Sequence, residues 1–198
     1  MKTTQTSPPS RLVTRALLLP VGTGAERLAA RVCELSKRWL AGDAPVAVVE
    51  TASEDGAATA LEYLAGQPLA QSLRERGLAL ARPNEAELWA IIDLTGAEEP
   101  ALSPEEVSER LESLVELAWR RLRIQMGVHG LILAAPAEQA ELKRWAETLA
   151  PMWEDRLYLA GPVNQSHLCL TEGDWQERAA LALAALLWSK RPRNSALL

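Results

Sequence analysis

The sequence predicts a Rossmann-like α/β domain: a mostly parallel sheet of five or six strands flanked by helices on both faces. Three observations predict it. Short apolar runs recur along the chain, and nearly every one is followed by a turn signal and then a helical pattern. Within the runs polar and apolar residues do not alternate, as expected for strands covered on both faces. Repeated strand–helix alternation reads as right-handed crossovers and a doubly wound parallel sheet rather than a bundle.

The expected strands are Ala16 to Leu19, Val46 to Val49, Leu88 to Ile92, Gly130 to Ala134 and Leu157 to Ala160, with His167 to Leu170 as a weaker sixth. Leu28, Val32, Leu35 and Trp39 recur at steps of four, three and four, which places an apolar stripe on a helix from Ala25 to Leu40, closed by Gly42. The Ala-rich stretch from Asp55 to Leu80 reads as helices over Ala57 to Ala65 and Leu69 to Arg76, broken at Gly66 and Pro68. Ser103-Pro104-Glu105-Glu106 is a capping box with proline at the first helical position, and the helix it starts reaches Arg123 with Val107, Leu111, Leu114 and Ala118 inward. A further helix carries Leu142, Trp145 and Leu149. A last one follows Thr171, turns Trp175, Ala179, Leu183 and Leu186 inward and ends at Pro192.

A chain of 198 residues fits a single core. Residues 1–14, rich in Thr, Ser and Pro, read as a flexible arm, 15–190 as the domain and 191–198 as a flexible tail. Charged residues at 24% and hydrophobic residues at 48% exclude wholesale disorder. No apolar run approaches the roughly 20 residues of a membrane span, and the N-terminus lacks the apolar stretch of a secretory signal, so a soluble cytoplasmic protein is expected. The net charge of −5, with acidic and basic residues interleaved, argues against binding to nucleic-acid backbone. The one basic knot, Arg120, Arg121 and Arg123, reads as a solvated helix end that complements the dipole. Cys33 and Cys169 lie in apolar settings and read as free buried thiols. With only His129 and His167 beside them, no zinc site can be assembled.

In doubly wound sheets ligands sit at the carboxyl ends of the strands. After the first strand, Gly22, Thr23 and Gly24 form a short turn into a helix whose first amides could hold a phosphate, although Glu26 inside the helix opposes an anion. Neither a Walker loop nor a full dinucleotide fingerprint is present. Glu50, at the end of the second strand, is placed to take ribose hydroxyls. Asp93, Thr95 and Gly96 at the end of the third are placed for a ligand or hydrated magnesium, and Asn164 after the fifth for a base edge. Ser166 and His167 are adjacent and point apart on any strand, so they do not make a nucleophile and its base. His129, just before a strand, reads as a surface or capping residue.

The opening strand and turn Leu17 to Glu26, the strand Val46 to Thr51 and the segment Arg156 to Leu170 with Asn164 resemble the nucleotide-binding half of the bacterial tubulin-like (FtsZ-type) proteins. That resemblance implies GTP binding and self-assembly. The family's Gly-rich loop is replaced by Asp93-Leu94-Thr95-Gly96-Ala97-Glu98-Glu99, so hydrolysis is not expected. Pro20 to Thr23 and Leu94 to Gly96 also resemble the strand ends of CRISPR-associated Rossmann-fold (CARF) sensors, which implies a cyclic oligoadenylate bound by a dimer.

Two functional expectations of different class follow, with a third behind them. The first is a non-catalytic accessory or assembly subunit acting through protein contacts or as a homo-oligomer, because Trp39, Trp89, Trp119, Trp145, Trp153, Trp175 and Trp188 are many for a core of this size. The second is a nucleotide-sensing domain that takes GTP or a cyclic oligoadenylate at the strand ends. The third is an enzyme that uses Asp93 on a small metabolite.

Overall fold

The computed structural model describes residues 11–50, 54–95, 102–135, 139–153, 157–161 and 172–188. In chain order the elements are β1 (Arg11–Val13), β2 (Arg15–Val21), α1 (Thr23–Trp39), β3 (Val46–Val48), α2 (Glu54–Ala65), α3 (Gln67–Glu75), β4 (Leu78–Leu80), β5 (Glu85–Asp93), α4 (Pro104–Leu122), β6 (Gln125–Leu133), α5 (Gln139–Trp153), β7 (Leu157–Ala160) and α6 (Glu172–Trp188). Five strands form one parallel sheet in the order β3-β2-β5-β6-β7. Numbered within that sheet the order is 2-1-3-4-5, which reverses once, between β2 and β5; that reversal is the switch point where such sheets present their ligand crevice.

The apolar runs form strands because both faces are covered. All seven residues of β2 are buried, and so are the last six of β5. On one face α1 and α6 pack against each other, with Leu28, Val32 and Leu35 of α1 and Trp175, Leu183 and Leu187 of α6 buried. Trp188 donates its indole N–H to Ser36 Oγ across this pair at 3.2 Å. On the other face α4 packs against α5 and β6, and α2 against β2 and β3. The capping box of α4 is formed as expected: Glu106 N–H donates to Ser103 Oγ at 3.2 Å, and Ser103 N–H to Glu106 Oε2 at 2.7 Å. These bonds to the charged form hold the Glu106 carboxyl below its usual range. Gly66 caps α3 with proline in its first turn, where the sequence placed the break between two helices.

Three features depart from the sequence reading. Residues Arg11–Val13, expected in a flexible arm, pair in parallel with Leu78–Leu80, and Val13 is buried. This small sheet escapes a pattern search because three residues are too few to show a period. Arg15 is buried with only 7% of its surface exposed; it donates to Leu64 O, at the carboxyl end of α2, at 2.7 Å and to Pro83 O. Desolvation lowers its pKa from the ordinary arginine value. His129, expected at a surface or cap, lies in mid-strand because β6 begins at Gln125; it is buried and stacked on Trp89, with ring centroids 4.5 Å apart.

The expected sixth strand, His167 to Leu170, and with it Cys169, lies outside the described residues. Trp89, Trp145, Trp175 and Trp188 are buried, whereas Trp39 and Trp119 are exposed. No helix among the described residues is long and apolar enough to cross a membrane.

Candidate functional site

The carboxyl ends of β2 and β5 lie side by side at the switch point. Their last register pair is Val21 with Ile92, so the next residues, Gly22 and Asp93, meet at the mouth of the sheet. Gly22 is the N-cap of α1, with φ at 96°, a left-handed conformation that glycine adopts without a Cβ penalty. It has no side chain to cap the helix, and none of its sequence neighbours supplies one.

Asp93 supplies the cap instead. Gly24 N–H donates to Asp93 Oδ2 at 2.8 Å. The other carboxylate oxygen, Oδ1, accepts from the Thr95 N–H at 3.0 Å and from the Thr95 hydroxyl at 2.6 Å. The carboxylate therefore sits where an anion would sit at a helix N-terminus, neutralising orphan donors and the positive end of the dipole. The glycines are needed for this approach. A Cβ on Gly24 would fall 2.1 Å from Asp93 Oδ2, and one on Gly22 would fall 3.2 Å from Asp93 Cβ.

Gly22 and Gly24 of the turn, which Thr23 joins, and Thr95 of the neighbouring strand end are thus drawn together around Asp93. Glu50 follows β3 at the same edge of the sheet and is exposed. Gly96 and Asn164 lie outside the described residues. What sequence reasoning missed is that Asp93 serves the helix rather than facing outward. The signal for it is a glycine-capped helix start on one strand beside an Asp-x-Thr end on a neighbouring strand, and it becomes visible only once β2 and β5 are known to pair.

Beyond the switch point, a cleft of about 280 Å³ opens at the carboxyl ends of β6 and β7 against the start of α5, lined by Ala134, Leu142, Leu159, Ala160 and Gln139 among others. Gln139 is its one polar side chain among the described lining residues, so it offers no acid, base or nucleophile. Gly161 is fixed by packing, since a Cβ there would lie 2.3 Å from Ala134 O. The two helices of the α1–α6 pair are tied by Arg31, whose guanidinium donates to both oxygens of Glu177 at 2.8 and 2.9 Å and to Glu34 at 2.7 Å. That pairing raises the Arg31 pKa and lowers that of Glu177. Cys33 is unpaired, and burial pushes its thiol up to about 11 despite Lys37 nearby.

No protein-family model and no curated protein matches the chain. Among solved structures it is similar to rubredoxin oxygen:oxidoreductase from the anaerobe Desulfovibrio gigas, at 15% identity and a TM-score of 0.35. The alignment covers 89% of this chain and 37% of that one, so the chain spans little more than a third of that protein.

Proposed function

We propose that the chain is a non-catalytic, Rossmann-like accessory or assembly subunit of the cytoplasm that acts through protein–protein contacts. The observation that carries this reading is the Asp93 carboxylate on the Gly24 amide at 2.8 Å. A phosphate at the switch point needs the donors that Asp93 already uses, and a second anion beside that carboxylate is repelled. The two glycines that suggest a nucleotide site from sequence make room for the protein's own acid. Exposed Trp119 favours contact with other proteins, since large aromatics concentrate at interfaces.

Thermal unfolding with GTP, ATP and cyclic oligoadenylates, each with magnesium, tests the reading. A ligand at a hundred times its Kd adds about 2.7 kcal/mol, which for a chain this long is a rise of roughly 5 to 11 °C. The expected result is no rise with any of them, together with sedimentation above the 21.6 kDa of a single chain or as part of a complex. A rise of several degrees that disappears in Gly22→Val overturns the accessory reading in favour of nucleotide sensing.

A further inference from the structure

Helices of a doubly wound sheet run antiparallel to its strands, so their carboxyl ends gather at the amino edge, opposite the ligand crevice. There α4 ends in Trp119-Arg120-Arg121-Leu122-Arg123. Trp119 is 53% exposed, the most exposed aromatic side chain among the described residues. Arg123 holds its guanidinium 5.5 Å from the centre of the Trp119 ring. It does so from a left-handed backbone, φ 55° and ψ 34°, at a helix end where glycine or asparagine is the low-cost residue. Arg120 pairs with Glu116 of its own helix, whereas Arg121 and Arg123 make no ion pair among the described residues.

Resting on the accessory reading above, we propose that the last turn of α4 docks an acidic segment of a partner protein, with Trp119 as the apolar platform and Arg121 and Arg123 as the carboxylate ligands. Charge complementarity selects the partner: two guanidinium forks with no ion pair among the described residues match carboxylates of a partner. Complementing the helix dipole accounts for the arginines but not for a half-exposed indole roofed by one of them. The same helix excludes an extended phosphate backbone. Glu105, Glu106, Glu109, Glu112 and Glu116 are all exposed along it and outweigh the lone Arg110, so a net positive field arises only at the last turn. A short acidic peptide with an apolar residue fits that footprint, and a nucleic-acid strand running along the helix does not.

The test uses fluorescence anisotropy of a fluorescein-labelled peptide of repeating Asp-Asp-Leu, with a Lys-Lys-Leu peptide and an oligothymidylate of equal length as competing probes. The acidic peptide is expected to bind the whole chain and to weaken as salt is raised. Arg121→Glu with Arg123→Glu should weaken it about tenfold or more and Trp119→Ala about fivefold or more. Trp39→Ala, at an exposed tryptophan on another helix, should leave binding unchanged. Circular dichroism checks that each variant keeps its fold. Absence of peptide binding, equal loss in Trp39→Ala, or oligothymidylate binding that depends on Arg121 and Arg123 each overturns the proposal. If the peptide fails while the natural chain still sediments as a larger assembly, the docking surface falls and the accessory reading stands. If a nucleotide raises the melting point, it is the accessory reading that falls.

Discussion

Replacing Asp93 by asparagine keeps the shape of the side chain and removes its charge, so it isolates what the carboxylate does at the start of α1. In the natural chain its two oxygens accept three hydrogen bonds, from Gly24 N–H, Thr95 N–H and the Thr95 hydroxyl, with Asp93 only 7% exposed. Asparagine can keep its oxygen toward Thr95 only by turning its NH2 toward the Gly24 N–H, donor against donor. One charge-assisted bond is then lost, worth about 1.5 to 3 kcal/mol. The anion at the helix terminus is lost with it, worth up to about 2 kcal/mol in a partly buried setting. Because both effects spring from the same charge they are not summed, and a cost of about 2 kcal/mol follows. For a chain of this length that lowers the midpoint by roughly 4 to 8 °C. Calorimetry on Asp93→Asn reads this directly. Asp93→Ala empties the seat altogether, so its midpoint should rise with added sulfate by more than that of the natural chain, which gains only the general salting-out effect. The sign of the effect is decisive. An Asp93→Asn variant as stable as the natural chain, or more stable, would mean that Asp93 is kept at a cost to the fold, as groups retained for chemistry are, and the accessory reading would be refuted.

Gly24→Ala tests the same contact from the other side: with a Cβ 2.1 Å from Asp93 Oδ2, the carboxylate must leave the amide, and a loss of about 2 kcal/mol by chemical denaturation is expected. For Cys33, folding raises the thiol pKa from 9.0 to about 11, so stability is unaffected below pH 9 and falls between pH 9 and 11, where only the unfolded chain ionises; the limit is about 2 to 3 kcal/mol. In a Cys169→Ser background the Cys33 thiol should react slowly with a disulfide reagent at pH 8, where about one molecule in a thousand is thiolate, and complete reaction on mixing would contradict the burial. Glu177 has its pKa lowered by Arg31, so the pair's contribution is present above the unfolded value of 4.5 and is lost as pH falls through the folded one. The gap in midpoint between the natural chain and Glu177→Gln should therefore close in acid, and a gap that persists there would assign the effect to packing.

The strands that carry the core were legible because their burial is complete. Ala16 to Leu19 and Leu88 to Ile92 are apolar on both faces, and both prove to be central. Their ends were not legible. β2 begins at Arg15, β5 at Glu85 and β6 at Gln125, polar residues that a hydrophobicity pattern discards although the backbone ladder includes them. In the case of β6 those missing residues moved His129 from a strand end to the interior. The burial of Arg15, the first residue of the expected domain, was not legible for a related reason. A cation reads as solvent-facing unless its acceptors are known, and its acceptors are the carbonyls of Leu64 and Pro83, 49 and 68 residues away. The basic end of α4 was easy to see, but not that Trp119 stays outside while Trp145 is buried, since both sit in helices of similar pattern.

The switch point carries the same lesson into function. Gly22, Thr23 and Gly24 are what a strand-to-helix turn needs to receive an anion, and sequence cannot say whether that anion arrives from solution or from the chain. The donors are the same in either case, and so is the requirement for glycine, because both depend only on how closely a negative oxygen must approach the backbone. What separates the two cases is a long-range pairing, the register that carries Ile92 beside Val21 and so brings Asp93 to the Gly24 amide. A carboxylate covalently held at that distance competes with any free phosphate at an effective concentration no solute reaches, set by the rigid strand that bears it. A chain with this register gains a helix cap at the place where a nucleotide binder of the same topology keeps an open seat. Restoring the open seat therefore requires removal of Asp93, and glycines added to the turn would leave it filled.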